Sequence, residues 1–287
     1  MDPTGIHIRR PIGASGAVVF SSPHSGRIYP QSMIDRARLS PLALRKSEDA
    51  FVEELFAAAP RYGAPLIHAD APRAYVDLNR APEELDPALI EGVSAPGLNP
   101  RLAAGLGVIP RVVAEGVAIY DGKLTREEAA ARLQAVWRPY HDALAGLLEA
   151  ARARHGFAVL VDCHSMPSDA VRGAGRRGGH GAKRPDVVLG DRFGVSCAPW
   201  LTERAERAFA AAGLSTARNA PFAGGYITQR YGRPSRGVHA IQIELDRGLY
   251  LDEARLEKST GFEGLRRALE PVIAALSAAD SGALAAE

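Results

Sequence analysis

An unbroken apolar run, Phe157-Ala158-Val159-Leu160-Val161, leads directly into Asp162-Cys163-His164-Ser165. Such a run reads as a strand buried on both faces, the kind found in parallel sheets. Thr125 and Glu128 have capping-box spacing ahead of a stripe of Leu133, Val136, Trp137, Tyr140, Leu144 and Leu148, which predicts a helix up to about His155-Gly156. A helix feeding a buried strand is the repeating step of an α/β chain.

The rest of the chain repeats that alternation. Ala17-Val18-Val19-Phe20 reads as a strand entering the loop Ser21-Ser22-Pro23-His24-Ser25-Gly26. Leu44, Phe51, Val52, Leu55 and Phe56 recur at helical spacing, predicting a helix over Pro41 to Ala58. Short strands are expected at Pro65–His68 and Ala74–Leu78, then an irregular proline- and glycine-rich excursion over 81–110. A strand at Asp186–Gly190, a helix at Pro199–Ala212, a strand at Val238–Leu245 and a helix at Phe262–Leu276 follow. The expected fold is one α/β domain over residues 1–287, a mostly parallel twisted sheet flanked by helices.

Ligands in such sheets bind beyond the carboxyl ends of strands. Four polar clusters directly follow apolar runs: His24, Asp77-Asn79-Arg80, Asp162-His164 and Glu244-Asp246-Arg247. His24 and His164 are candidate zinc ligands, and Glu48 or Asp49 can supply a carboxylate beside them. Glu244 stands inside the apolar stretch Ile241-Gln242-Ile243-Glu244-Leu245, where a carboxylate is costly unless paired or poised for proton transfer. Arg80 offers a planar fork for a substrate carboxylate, with a surface ion pair as the alternative. Gly224-Gly225-Tyr226-Ile227-Thr228-Gln229-Arg230-Tyr231-Gly232 reads as a loop over a site, with Arg230 a candidate substrate contact.

Composition excludes several classes. A net charge of +2 does not suggest a nucleic-acid or membrane-surface partner. Cys163 and Cys197 are far apart and outside any Cys-x-x-Cys spacing, so neither a disulfide framework nor a cysteine zinc site is indicated. Met1-Asp2-Pro3-Thr4-Gly5 lacks signal-peptide character, and no stretch of 18 apolar residues occurs; a cytoplasmic location is expected. Gly173-Ala174-Gly175-Arg176-Arg177-Gly178 has dinucleotide-fingerprint spacing but neither follows a strand nor opens a helix, so it reads as a basic loop.

Together, Ser22-Pro23-His24-Ser25-Gly26, Ser47-Glu48-Asp49-Ala50-Phe51-Val52, Tyr75-Val76-Asp77-Leu78-Asn79-Arg80, Asp162-Cys163-His164-Ser165-Met166-Pro167, Gly190-Asp191-Arg192 and Gly224-Gly225-Tyr226-Ile227-Thr228 resemble the N-formylglutamate amidohydrolase family. The resemblance implies a zinc carboxypeptidase-like fold and one zinc ion per chain, held by His24, His164 and Asp49. It implies Glu244 as catalytic base and Asn79 with Arg80 as the grip on a substrate carboxylate. Asp162, on the strand face of His164, would support that histidine. The expected activity is zinc-dependent hydrolysis of the N-acyl amide of a small acidic N-acyl amino acid such as N-formylglutamate. A carboxypeptidase-like peptidase and a non-catalytic binding protein for acidic metabolites are the alternatives.

Overall fold

Where apolar runs are covered on both faces they become the inner strands of one sheet. In the computed structural model, which describes residues 4–94, 97–113, 116–170 and 184–278, the strands are β1 (Ile6–Arg9), β2 (Val18–Ser22), β3 (Leu66–Ala69), β4 (Ala158–Met166), β5 (Val187–Gly190), β6 (Thr216–Arg218) and β7 (Val238–Asp246). They form a sheet in the order β1-β3-β2-β4-β7-β5-β6. β2 and β7 run parallel to β4 on either side, and β6 runs parallel to β5, while β5 is antiparallel to β7. A small hairpin, β8 (Leu251–Asp252) with β9 (Glu257–Lys258), stands apart from the sheet. Every residue of β2 and β4 is buried, as a strand covered on both faces requires.

The chain is divided into two compact units that interleave along the sequence. One consists of Met1–His7, Pro23–Ala50 and His68–Ala143; the other of Ile8–Ser22, Phe51–Ile67 and Leu144–Glu287. The second unit carries β2 and β4 to β7, with the helices Pro199–Ala211 and Phe262–Ser277 packed on each other. The first carries the segment 71–80 and the opening of the long helix after Thr125. There Thr125 Oγ1 accepts from the Glu128 amide and Glu128 accepts from the Thr125 amide, the expected reciprocal cap.

Three expectations are corrected. The helix expected over Pro41–Ala58 is two short helices, Pro41–Arg45 and Val52–Leu55, with turns between them and Phe51 at a left-handed φ of +65°. The break lets the Asp49 amide donate to His24 O at 3.0 Å. Ala74–Leu78 is a series of turns and not a strand. The helix expected from Thr125 to about His155 is present, with a π-helical turn, Leu133–Trp137, between Arg126–Arg132 and Arg138–His155. Finally, Asp162, His164 and Glu244 lie within their strands and not beyond the ends, since β4 and β7 extend to Met166 and Asp246. The glycine pattern at 173–178 lies outside the described residues.

Candidate active site

In the first unit, His24 follows β2 in a buried turn, 1% exposed. Its Nε2 lies 2.7 Å from Asp77 Oδ1 and its Nδ1 lies 3.4 Å from Asp49 Oδ2. A carboxylate only accepts, so Nε2 donates to Asp77, and Nδ1 is the ring nitrogen on the side of Asp49. Burial alone would raise the Asp77 pKa, but Arg73, His24 and Arg80 outweigh it and hold the carboxyl well below its ordinary value. Asp77 therefore stays anionic beneath the ring.

Glu48, next in sequence to Asp49, is committed elsewhere. Its carboxylate accepts from Tyr29 OH at 2.9 Å and from Arg45 Nε and Nη2 at 3.1–3.2 Å. Burial raises its pKa, with Arg45 and Tyr29 opposing.

The second unit repeats the carboxylate–imidazole pairing. On β4, two residues apart and on one face, Asp162 Oδ2 lies 2.9 Å from His164 Nε2, while Asp162 Oδ1 accepts from Ser21 Oγ at 3.0 Å. A carboxylate only accepts, so His164 Nε2 is the donor in that pair. Across the parallel ladder, His164 is in register with Glu244 and Asp162 with Gln242. Gln242 Nε2 donates to Glu244 Oε1 at 2.6 Å, and its own Oε1 accepts from the Gly225 amide at 2.9 Å. Gln242 was not singled out from sequence. Its signal was there: it stands two residues before Glu244, hence on the same strand face.

One ligand atom from each of His24, Asp49 and His164, all buried, lies within 4.8 Å of the others. The donor set suits a metal. Two imidazoles and one carboxylate leave a fourth position for water, the pattern of catalytic zinc. Two ligands about 2.0–2.1 Å from a tetrahedral zinc stand about 3.3–3.4 Å apart, which is the spacing between His24 Nδ1 and Asp49 Oδ2, 3.4 Å. Each histidine also has a carboxylate behind it, the usual arrangement around a metal-bound imidazole.

The remaining expected residues divide. Asn79 and Arg80 are buried in the turn segment of the first unit. The Asn79 amide donates to Asp77 Oδ1 at 2.8 Å, and Arg80 Nε donates to Leu106 O at 2.9 Å. Burial lowers the Arg80 pKa, Asp77 opposes, and the nearby cations Arg73 and Arg101 add to the lowering. Arg80 thus stands among charges of both signs, Arg73 and Arg101 against Asp77 and Glu84, with its Nε 4.0 Å from Asp77 Oδ2. Arg230 is exposed on the short helix Tyr226–Tyr231, its guanidinium carbon 5.8 Å from the Tyr231 ring centre. The Gly224-Gly225 stretch does approach other atoms closely. A Cβ on Gly224, where φ is +119°, would meet Thr228 Oγ1 at 2.6 Å and Arg192 Cγ at 3.0 Å.

Asp191, from another of the matched motifs, supports a turn. Its carboxylate accepts from the Gly194 amide at 3.0 Å, Asn219 Nδ2 at 2.7 Å and Thr202 Oγ1 at 2.9 Å. Those bonds hold Arg192 and Phe193 at φ +54° and +58°, a conformation that non-glycine residues adopt at a cost.

Residues 16–251 match the model of the N-formylglutamate amidohydrolase family. The chain is 32% identical over 243 residues to an N-formylglutamate deformylase of Pseudomonas putida, and 33% identical over 240 residues to one of Pseudomonas aeruginosa. In each case 82% of both chains is covered. Its structure is similar to the crystal structure of an N-formylglutamate amidohydrolase from Ralstonia eutropha JMP134, with a TM-score of 0.88 and 35% identity, covering 96% of this chain and 97% of that one. The family model spans most of the sequence, and two relatives above 30% identity are matched over 82% of the chain: this chain belongs to the N-formylglutamate amidohydrolase family.

Proposed function

We propose that this protein is a zinc-dependent amidohydrolase that splits the formyl amide of N-formylglutamate, releasing formate and glutamate. The observation that carries the reading is the buried His24, Asp49 and His164 group, whose two imidazoles are each oriented by a carboxylate. In this reading those three residues hold one zinc ion per chain, and residues 1–287 act as one catalytic domain in the cytoplasm. A zinc ion there would polarise the amide carbonyl and lower the pKa of the attacking water. Membership of the family and the relatives' deformylase activity support formylglutamate as the substrate. Among the described residues no helix is long and apolar enough to cross a membrane.

The chain's own residues then have separate tasks. Glu244 takes the proton from the water and returns it to the departing nitrogen, so one carboxylate serves as base and then as acid. Gln242, donating to Glu244 Oε1, fixes that carboxylate's rotamer. Asn79 and Arg80 hold a substrate carboxylate, the Arg80 fork supplying two parallel donors. Arg230 is a further substrate contact. Asp77 and Asp162 keep the hydrogen on Nε2 of each histidine.

Turnover of N-formyl-L-glutamate against short peptides with a free carboxyl terminus tests the reading. Formate release with no peptide cleavage supports it. Peptide cleavage without deformylation would make the chain a peptidase, and tight binding of either without turnover a binding protein.

A further inference from the structure

The segment Tyr75–Arg80 joins no ladder, so its backbone carbonyls need other donors. Three of them find side chains of one helix. Arg132 Nη1 donates to Tyr75 O at 3.4 Å, His141 Nε2 to Leu78 O at 2.9 Å and Trp137 Nε1 to Arg80 O at 3.0 Å. Arg132 is fixed in turn by Tyr120 OH at 2.7 Å and by the Tyr75 ring, 4.3 Å below its guanidinium carbon. The Trp137 and His141 rings lie 4.0 Å apart, tilted by 33°, so the two donors brace each other. Trp137 and His141 are both buried.

The π-helical turn explains how one helix reaches all three. In a regular α-helix, residues five apart point about 140° away from each other. A turn bonded from i to i+5 brings such residues nearly over one another. Leu133–Trp137 is such a turn, and it lies between Arg132 and Trp137. Trp137 and His141, four apart beyond it, share a face by ordinary helical geometry. The inserted residue therefore gathers Arg132, Trp137 and His141 onto the side that meets Tyr75–Arg80.

We propose that Trp137 and His141 are positioning residues for the substrate-carboxylate grip of Asn79 and Arg80, and that the π-turn exists to aim them. The inference rests on the reading of Arg80 as that grip. With Arg80 held at its carbonyl by Trp137 and at its Nε by Leu106 O, the rest of the guanidinium is presented with little freedom. A side chain so preorganised binds a planar carboxylate without losing rotamer entropy at the moment of binding.

The test is Trp137→Phe, which removes the N–H and keeps a ring, measured on zinc-loaded enzyme with N-formyl-L-glutamate and with analogues in which one carboxylate is an amide. Loss of one oriented hydrogen bond should raise KM for the diacid about 3–10-fold while kcat and zinc content hold. The preference for the diacid over the amide analogue should shrink by the same factor. His141→Phe should act likewise and His141→Gln, which restores a donor, should recover most of the loss; this pair decides the matter if Trp137→Phe does not fold. A parallel fall in kcat for diacid and amide alike, or no change in preference, would overturn the proposal. Arg80→Lys is run alongside. If it lowers the preference and the helix variants do not, positioning alone is refuted. If none of them lowers it, the reading of Arg80 falls and the inference falls with it.

Discussion

His164 on β4 and Glu244 on β7 are register partners across a parallel strand pair. Partnered residues of neighbouring strands project from the same sheet face, so the candidate metal ligand and the candidate base rise side by side from two inner strands. A rigid ladder, and not a loop, sets their separation.

That placement makes Glu244→Gln informative. Glutamine keeps the size and can still accept from Gln242, but it cannot take a proton from water. We expect normal melting and metal content, with kcat lower by roughly two to four orders of magnitude. If Glu244 instead balances a buried cation, the same change should destabilise the fold by about 3–5 kcal/mol and leave turnover at low temperature intact. Melting temperature and kcat on one preparation distinguish the two.

Asp162→Asn replaces the carboxylate behind His164 and lets an amide N–H compete for Nε2. Metal affinity should fall about 10–100-fold, the usual effect of losing a carboxylate behind a ligating imidazole. A competition titration with a chelator reads it. Unchanged affinity would give Asp162 a structural role only, bonded to Ser21 and His164.

Arg80→Lys keeps the charge and removes the fork. The cost in kcat/KM for the diacid should be on the order of 2–4 kcal/mol, because an ammonium cannot make two parallel bonds to a carboxylate. Equal turnover of the diacid and its amide analogues by the unmodified enzyme would argue against any carboxylate grip.

Asp191 predicts an acid-side loss of stability. Burial would raise its pKa, but Asn219, the Gly194 amide and Thr202 outweigh it and hold the carboxyl below its ordinary value. A depressed folded pKa stabilises above the unfolded value, about 3.9 for aspartate, and that contribution disappears as pH falls through the lower folded value. Asp191→Asn should therefore melt earlier than the parent at neutral pH and show a flatter decline below about pH 4. Parallel melting curves from neutral to acid pH would contradict the assignment.

How much of this was legible in the sequence depended on where each residue's partners lie. β4 and β7 declared themselves because their apolar runs are local, and His164 and Glu244 came with them. The short strands β1 and β6, four and three residues long and only partly buried, carry too little apolar pattern to be read. Tyr75–Arg80 has strand-like composition, yet its carbonyls go to Arg132, Trp137 and His141, more than fifty residues on, so no local pattern could reveal the turns. The apolar spacing over Pro41–Ala58 continues through the break at Phe51, so periodicity predicted a helix where backbone geometry places Asp49 beside His24. The candidate metal ligands were legible as residue types, and the π-helical turn Leu133–Trp137 was not.

The most direct test of the account is formate release from N-formyl-L-glutamate by one preparation as purified, after chelation, and after zinc is restored, with metal content measured at each step. We expect close to one zinc per chain, loss of activity with the metal, recovery on its return, and neither metal nor activity in His24→Ala or His164→Ala. Full activity in a metal-free, chelator-treated preparation would contradict it.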